Sequence, residues 1–242
     1  MQVDLPDVTL ICVSGVDYEG SLYALWRSTR NIRFAKAVLV SPVKPANLPG
    51  GVVHETSVGT NLDSIDAYSH YMIYDLWRHV DTSHCLVVQA DGYVLSPELW
   101  RNEWLAFDYI GAPWRKTPEA YIDPFGNSQR VGNGGFSLRS KKLLEVPRKV
   151  DVPWEVNLGD FYKHMDAGLY SEDGNICVHN RHIFEQQGCV WAPLDEALVF
   201  SKEQRVSEYR GEQTFGFHKK LPNFRHHVRD YLARREFRKN RT

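Results

Sequence analysis

Apolar and polar positions change rhythm repeatedly along the first part of the chain. Val8-Thr9-Leu10-Ile11-Cys12-Val13 is a near-continuous apolar run that stops at Ser14-Gly15, the pattern of a buried strand giving way to a loop. From Tyr18 to Arg30, Leu22, Leu25 and Trp26 recur at helical spacing. Ala35 to Val40 predicts a second strand, closed by Ser41-Pro42. Ser64 to Val80 places Tyr68, Tyr71, Met72, Leu76 and Val80 on one face, which predicts a helix packed on a sheet. Leu86-Val87-Val88 then predicts a further strand that ends at Gln89-Ala90-Asp91-Gly92. Strands alternating with helices in this way predict an α/β fold with a mixed, mainly parallel central sheet.

The second half is less regular. Phe107 to Trp114 is followed by a Pro-, Gly- and polar-rich stretch, Arg115 to Arg130, with the composition of a long loop and the candidacy of a mobile lid. Val131-Gly132-Asn133-Gly134-Gly135 is a glycine-rich turn that runs into Phe136-Ser137-Leu138-Arg139-Ser140, a strand, and then a short helix. Glycines there let backbone approach a ligand closely, yet a phosphate loop opens a helix rather than a strand. GxGxxG and GxxxxGK[ST] are both absent, which excludes the dinucleotide and P-loop readings.

At 242 residues, the chain has room for one sizeable core, and 43% hydrophobic with 24% charged residues is ordinary for an ordered globular protein. Cys12, Cys85, Cys177 and Cys189 form no CxxC pair and are read as reduced packing residues. No stretch reaches membrane-span length and the start lacks signal-peptide order, which predicts a cytoplasmic protein. Charge changes the picture more. The net charge of −1 conceals a basic segment, residues 219–242, with nine Lys/Arg against Asp230 and Glu236, so the rest carries −8. Phe224, Val228, Tyr231, Leu232 and Phe237 give that segment a partial apolar stripe, fit to dock on the parent domain or to lie on an anionic membrane surface.

The candidate chemistry starts at Asp91. Ligands of open α/β sheets bind beyond the carboxyl ends of strands, where this carboxylate emerges, although an Asp-Gly at a strand end is also ordinary turn chemistry. Glu172-Asp173 is a second acidic pair, in a turn-like setting where either side chain also suits a helix cap.

Gln89–Gly92, Asp108–Trp114, Val131–Arg139, Glu172-Asp173 and Thr214-Phe215-Gly216-Phe217-His218 occur together in an order that resembles a glycosyltransferase-like family of GT-A type, long catalogued only as a domain of unknown function. The resemblance covers roughly residues 8 to 220. It implies a single GT-A-like, Rossmann-like domain over 1–218, with the basic tail at 219–242. It implies an inverting sugar transfer from a nucleotide-sugar donor, UDP-sugar foremost, to a glycan or other hydroxyl acceptor. Ser14, Gly15, Val16 and Gln89 would meet the base and ribose, and Asn133, Gly134 and Gly135 the sugar or acceptor. Asp91 and His218 would share a divalent cation with the diphosphate, Mn²⁺ before Mg²⁺ because an imidazole ligand favours the former. Asp173 would be the base that takes the acceptor proton, with Glu172 on the acceptor hydroxyls and the two roles exchangeable; Asp160 and Asp166 are spare carboxylates. Trp114 and Trp154 offer flat faces for a sugar ring or belong to the core.

The chain departs from the GT-A pattern at Gln89, which stands where an Asp-x-Asp motif has its first aspartate. The competing reading is a carbohydrate- or nucleotide-binding protein of the same fold without turnover. A nucleic-acid module rests on the basic tail alone and lacks the aromatic basic sheet of RNA readers.

Overall fold

Why the first strand is so continuously apolar is plain from its surroundings. In the computed structural model, which describes residues 2–116, 121–154, 171–211 and 213–239, β1 (Val3–Val13) lies between β2 (Ile32–Ser41) and β4 (His84–Val88), parallel to both. Alternate side chains point to opposite faces, and both faces are covered. Leu10 and Cys12 join Leu39, Leu86 and Val88 against α1 (Tyr18–Thr29), while Ile11 and Val13 join Val38, Val40 and Val87 against α2 (Ile65–Tyr74). The six-stranded sheet has the order β3-β2-β1-β4-β7-β6. β3 (Val52–Thr56) pairs parallel with β2; β7 (Phe136–Ser140) runs antiparallel to β4 and to β6 (Tyr109–Gly111). The sheet is therefore mixed and mainly parallel, in a single α/β domain.

The strand expected to end at Val40 does so within one residue, but β3 is an addition. Only Val52 of its five residues is buried, so this edge strand carries too little apolar signal to be read from pattern. The helix expected through Val80 stops at Tyr74 and continues as a 3₁₀ turn, Leu76–His79. The Trp77 indole donates to the Tyr74 carbonyl at 2.9 Å and satisfies the helix end.

Beyond the carboxyl end of β4 the chain crosses into a second, three-stranded sheet of order β5-β9-β8, made of β5 (Gly92–Val94), β9 (Gly216–His218) and β8 (Ser201–Lys202). Between the sheets' strands run the short helices α3 (Lys141–Leu144), α4 (Val146–Lys149), α5 (Glu172–Gly174, continued by a π turn, Asn175–His179), α6 (Arg181–Gln186) and α7 (Leu194–Phe200). All four cysteines are free and buried, and burial pushes their thiols up to about 12. Among the described residues no helix is long and apolar enough to cross a membrane.

The basic segment forms α8 (Phe224–Lys239), which docks on α1. Phe237 packs edge-on to Tyr23 and beside Trp26. Asp230 accepts hydrogen bonds from the Tyr23 and Tyr93 hydroxyls and from Arg234, whose guanidinium lies 4.2 Å from the Tyr23 ring centre. Burial opposes ionisation of Asp230, and those three donors outweigh it, holding its carboxyl below the usual range. The tail is thus joined to the domain through one polar network and one aromatic cluster.

Candidate functional site

A cavity of about 300 Å³ opens beyond the carboxyl ends of β1 and β4. This is where the strand order reverses direction from β1, the position open α/β sheets use for ligands. Its walls are the loop after β1 (Ser14 to Asp17), the entry to α2 (Leu62 to Ile65, with Tyr68) and Gln89 to Asp91 after β4. Five of the expected donor-binding residues, Ser14, Gly15, Val16, Gln89 and Asp91, therefore meet in one place. Gly15 has no room for a side chain, since a Cβ there would lie 2.1 Å from the Asn61 carbonyl oxygen. Gln89 donates to the Tyr68 hydroxyl at 2.7 Å, which fixes both on the cavity wall. Among the described residues the lining holds three carboxylates, Asp17, Asp63 and Asp91, and no Lys or Arg.

Asp91 is exposed at the rim, where β4 passes into β5. Pairing of Gly92 with His218 across β5 and β9 sets the histidine beside it, and the Lys219 amide donates to the Asp91 carbonyl at 3.0 Å. His218 Nε2 lies 3.1 Å from Asp91 Oδ1, while Nδ1 lies 3.2 Å from Glu203 Oε2, within ion-pair reach though not aligned for a hydrogen bond. Lys219 Nζ holds the other Glu203 oxygen at 2.5 Å. Burial of the imidazole opposes its charge, but the two flanking carboxylates prevail and raise His218 to about 9. His218 and Lys219 together hold Glu203 below its ordinary range against the effect of burial, and His218 does the same for Asp91.

The glycine turn joins this triad to the second acidic pair. Gly135 is pressed against the His218 ring, 2.3 Å from where a Cβ would sit, and Gly134 lies over Glu172 in the same way, at 1.9 Å. The Gly134 amide donates to Asp173 Oδ2 at 3.0 Å, and the Gly174 amide to Asp173 Oδ1 at 2.8 Å, so two backbone donors orient that half-buried carboxylate. Glu172 is buried and ion-paired with the fully buried Arg139 at 3.0 Å. Burial first, then Asp173, raises its carboxyl despite the arginine. Arg139 also reaches the Gly134 carbonyl and Ser137 Oγ, and stands over the Tyr109 ring.

Several expectations need correction. Glu172 is not equivalent to Asp173, because its buried carboxylate is paired with Arg139 while Asp173 is held by backbone amides. Asn133 is buried with its amide divided between the Trp114 indole and the Ala112 carbonyl, so it shapes the turn instead of contacting a ligand. Trp114 is core, stacked at 4.3 Å on Tyr121, and Trp154 is half-buried near His70; neither lines the cavity. The expected lid is anchored over its described part: Asp123 caps a closed turn, Arg130 binds the Trp114 carbonyl and Glu208, and Arg181 holds Gln129. Asp160 and Asp166 lie outside the described residues.

Glu203, Arg139 and Lys219 had escaped notice. Arg139 carries a signal, an arginine within the short strand Phe136–Ser140, which is tolerated in a buried strand only with a partner. Glu203 carried none, lying in the polar run Lys202-Glu203-Gln204-Arg205.

A family model described as "Protein of unknown function (DUF5672)" matches residues 53–218, more than half of the chain. The chain belongs to this family. The DUF5672 match takes in Asp91, the glycine turn, Glu172-Asp173, Glu203 and, as its last residue, His218; the β1 side of the cavity and α8 lie outside it. Among curated proteins nothing matches this chain.

The raised His218 makes stability depend on pH. An unfolded histidine loses its proton near pH 6.5, whereas the folded one keeps it to about 9. The stabilisation is complete below about pH 6.5 and is lost as pH rises towards 9, on the order of 3 kcal/mol across that window. Urea midpoints in the presence of chelator should fall over this range for the parent and stay level for His218→Gln. A level parent profile would remove the imidazole from between its two carboxylates.

Proposed function

We propose that this protein is a glycosyltransferase that moves a sugar from a nucleotide-sugar donor to a hydroxyl acceptor, with the nucleoside in the cavity at the ends of β1 and β4. The observation that carries the reading is the chain of contacts that runs from that cavity through Asp91 and His218 to Gly135, and from Gly134 to Asp173. Leu62, Ile65 and Tyr68 supply an apolar wall for a base, and Ser14 and Asp63 supply polar partners for a ribose. UDP-sugar remains the first donor to test.

The wall chemistry supports a cation. The three carboxylates of the described lining would repel a bare diphosphate, which favours a cation between them and its phosphate oxygens. Asp91 Oδ1 and His218 Nε2 lie 3.1 Å apart at the strand ends, and both would hold a diphosphate-bound cation once it displaced the proton that the imidazole carries between its carboxylates. Glu203, 3.2 Å behind Nδ1, is placed to take up the other ring N–H if the imidazole turns to ligate a metal. Among the described residues no group of three or more His, Cys, Asp or Glu side chains that could hold a metal ion occurs, so phosphate oxygens and water would have to complete the shell. Bound there, Mn²⁺ or Mg²⁺ would neutralise charge developing on the leaving diphosphate. Asp173, held by two amides, accepts the proton of the acceptor hydroxyl as that oxygen attacks the anomeric carbon on the face away from the leaving group, which gives inversion.

Gln89 favours one second reading. It occupies the place of a charged ligand and its amide is engaged by Tyr68, as a binding protein without turnover would allow. A thermal-shift panel of nucleotide sugars with Mn²⁺ or chelator tests both. Stabilisation by one donor class that disappears with chelator, accompanied by nucleotide release, supports transfer; the same stabilisation without release supports binding alone. No stabilisation by any donor would set the whole reading aside.

A further inference from the structure

α8 has two faces, and only one is used by the domain. Ala233 and Phe237 are buried against α1, and Asp230 and Arg234 stand in the interface. The paired charges also tie the helix inward: Glu236 to Arg30 and Arg238 to Glu19. Opposite, Phe224, Val228, Tyr231 and Leu232 follow i, i+4, i+7 and i+8 spacing and so form one stripe, 79%, 42%, 63% and 57% exposed. Large apolar side chains scattered singly are ordinary on a surface, but four on one stripe of one helix mark an interaction site.

Charge identifies the partner. Arg225, Arg229 and Arg235 are exposed beside or within the stripe and have no ion-pair partner among the described residues, Arg235 lying only against the Tyr231 ring. Both carboxylates of the helix, Asp230 and Glu236, are engaged with docked-side partners. Among the described residues the outer face therefore offers an apolar strip flanked by uncompensated cations and no free anion, which complements an anionic bilayer surface.

We propose that the outer face of α8 holds the protein on an anionic lipid bilayer, with Phe224, Tyr231 and Leu232 inserted at the acyl boundary and Arg225, Arg229 and Arg235 at the headgroups. Docking by the opposite face fixes the orientation. Tyr93, Asp91 and Lys219 line a groove with His227, Asp230 and Arg234 of α8, so the rim of the candidate site sits next to the helix. The inference does not rest on sugar transfer, and its test needs no donor.

The test is sedimentation of the full chain with phosphatidylserine-rich vesicles and with pure phosphatidylcholine vesicles, at low and high salt. The parent should pellet with the anionic vesicles, remain largely in solution with the neutral ones, and release as salt rises. Each arginine near an anionic surface accounts for about fivefold in affinity, so Arg225→Gln/Arg229→Gln/Arg235→Gln should bind roughly 100-fold more weakly. Phe224→Ser/Tyr231→Ser/Leu232→Ser should lose binding even at low salt. All six side chains point outward, so both variants should keep the parent's thermal midpoint; should one misfold, the other still decides. Absence of pelleting by the parent, or equal pelleting of parent and folded variant, overturns the proposal. So does a parent dimer in gel filtration that the serine variant converts to monomer without any effect of lipid, since the stripe would then be covered by a second copy.

Discussion

Arg139→Met is expected to lower stability by about 3–5 kcal/mol, the usual result of stranding one member of a buried ion pair. Arg139 is fully buried and Glu172 nearly so, at 0% and 7% side-chain exposure, and the arginine ties Glu172 to the Gly134 carbonyl and Ser137. Without it the Glu172 carboxylate, already raised by burial, would take up a proton or draw water into the core. For a chain of this size the loss corresponds to a fall in thermal midpoint on the order of 10 °C. Arg139→Met/Glu172→Leu should recover much of it, because removing both charges leaves no unpaired group. Calorimetric midpoints of the parent, both single variants and the double variant form a cycle that isolates the coupling. An Arg139→Met protein as stable as its parent would mean the pair is not what secures the turn. A recovered double variant with altered ligand response would show that the pair serves the position of Gly134 more than stability.

Asp173→Asn and Asp91→Asn are expected to fail differently. Asp173 touches only backbone amides of the turn and of its own helix, and takes no part in the cavity lining. Its amide variant should bind donor and Mn²⁺ like the parent and lower kcat by roughly 100-fold or more, the scale for loss of a positioned base. Asp91 lies both in the lining and against His218. Asp91→Asn should therefore weaken Mn²⁺ and donor together, by about tenfold or more, since both depend on the same carboxylate. Titration calorimetry with Mn²⁺ and nucleotide sugar, paired with product formation by the same preparations, separates the two. Full turnover by Asp173→Asn would require another base. Unchanged metal and donor affinity in Asp91→Asn would detach the cation from this strand end.

The site was legible in the sequence to the extent that its members lie at the ends of recognisable elements. Asp91 follows an apolar run, and Ser14-Gly15 follows another, so both could be placed at strand carboxyl ends before any contact was known. Roles were less legible than places. Glu172 and Asp173 are adjacent and chemically alike, and only the buried guanidinium of Arg139 assigns one to structure and leaves the other oriented by amides. Asn133 and Trp114 have side chains that suit ligands as well as they suit each other, and the left-handed backbone at Asn133 turns its amide inward to Trp114 and Ala112.

What the sequence alone determined is the local order: parallel strands where apolar runs are buried on both faces, helices where the spacing leaves one face polar, and a basic terminal helix. These follow from periodicity, which each segment carries within itself. What only the tertiary structure decided is who meets whom across long separations. Gly92 pairs with His218, which brings Glu203 behind the histidine; Tyr23 and Tyr93 meet Asp230, which turns one face of α8 inward and leaves Phe224, Tyr231 and Leu232 outside. Such encounters depend on sheet register and on the burial of charge, neither of which is a property of a short stretch of chain.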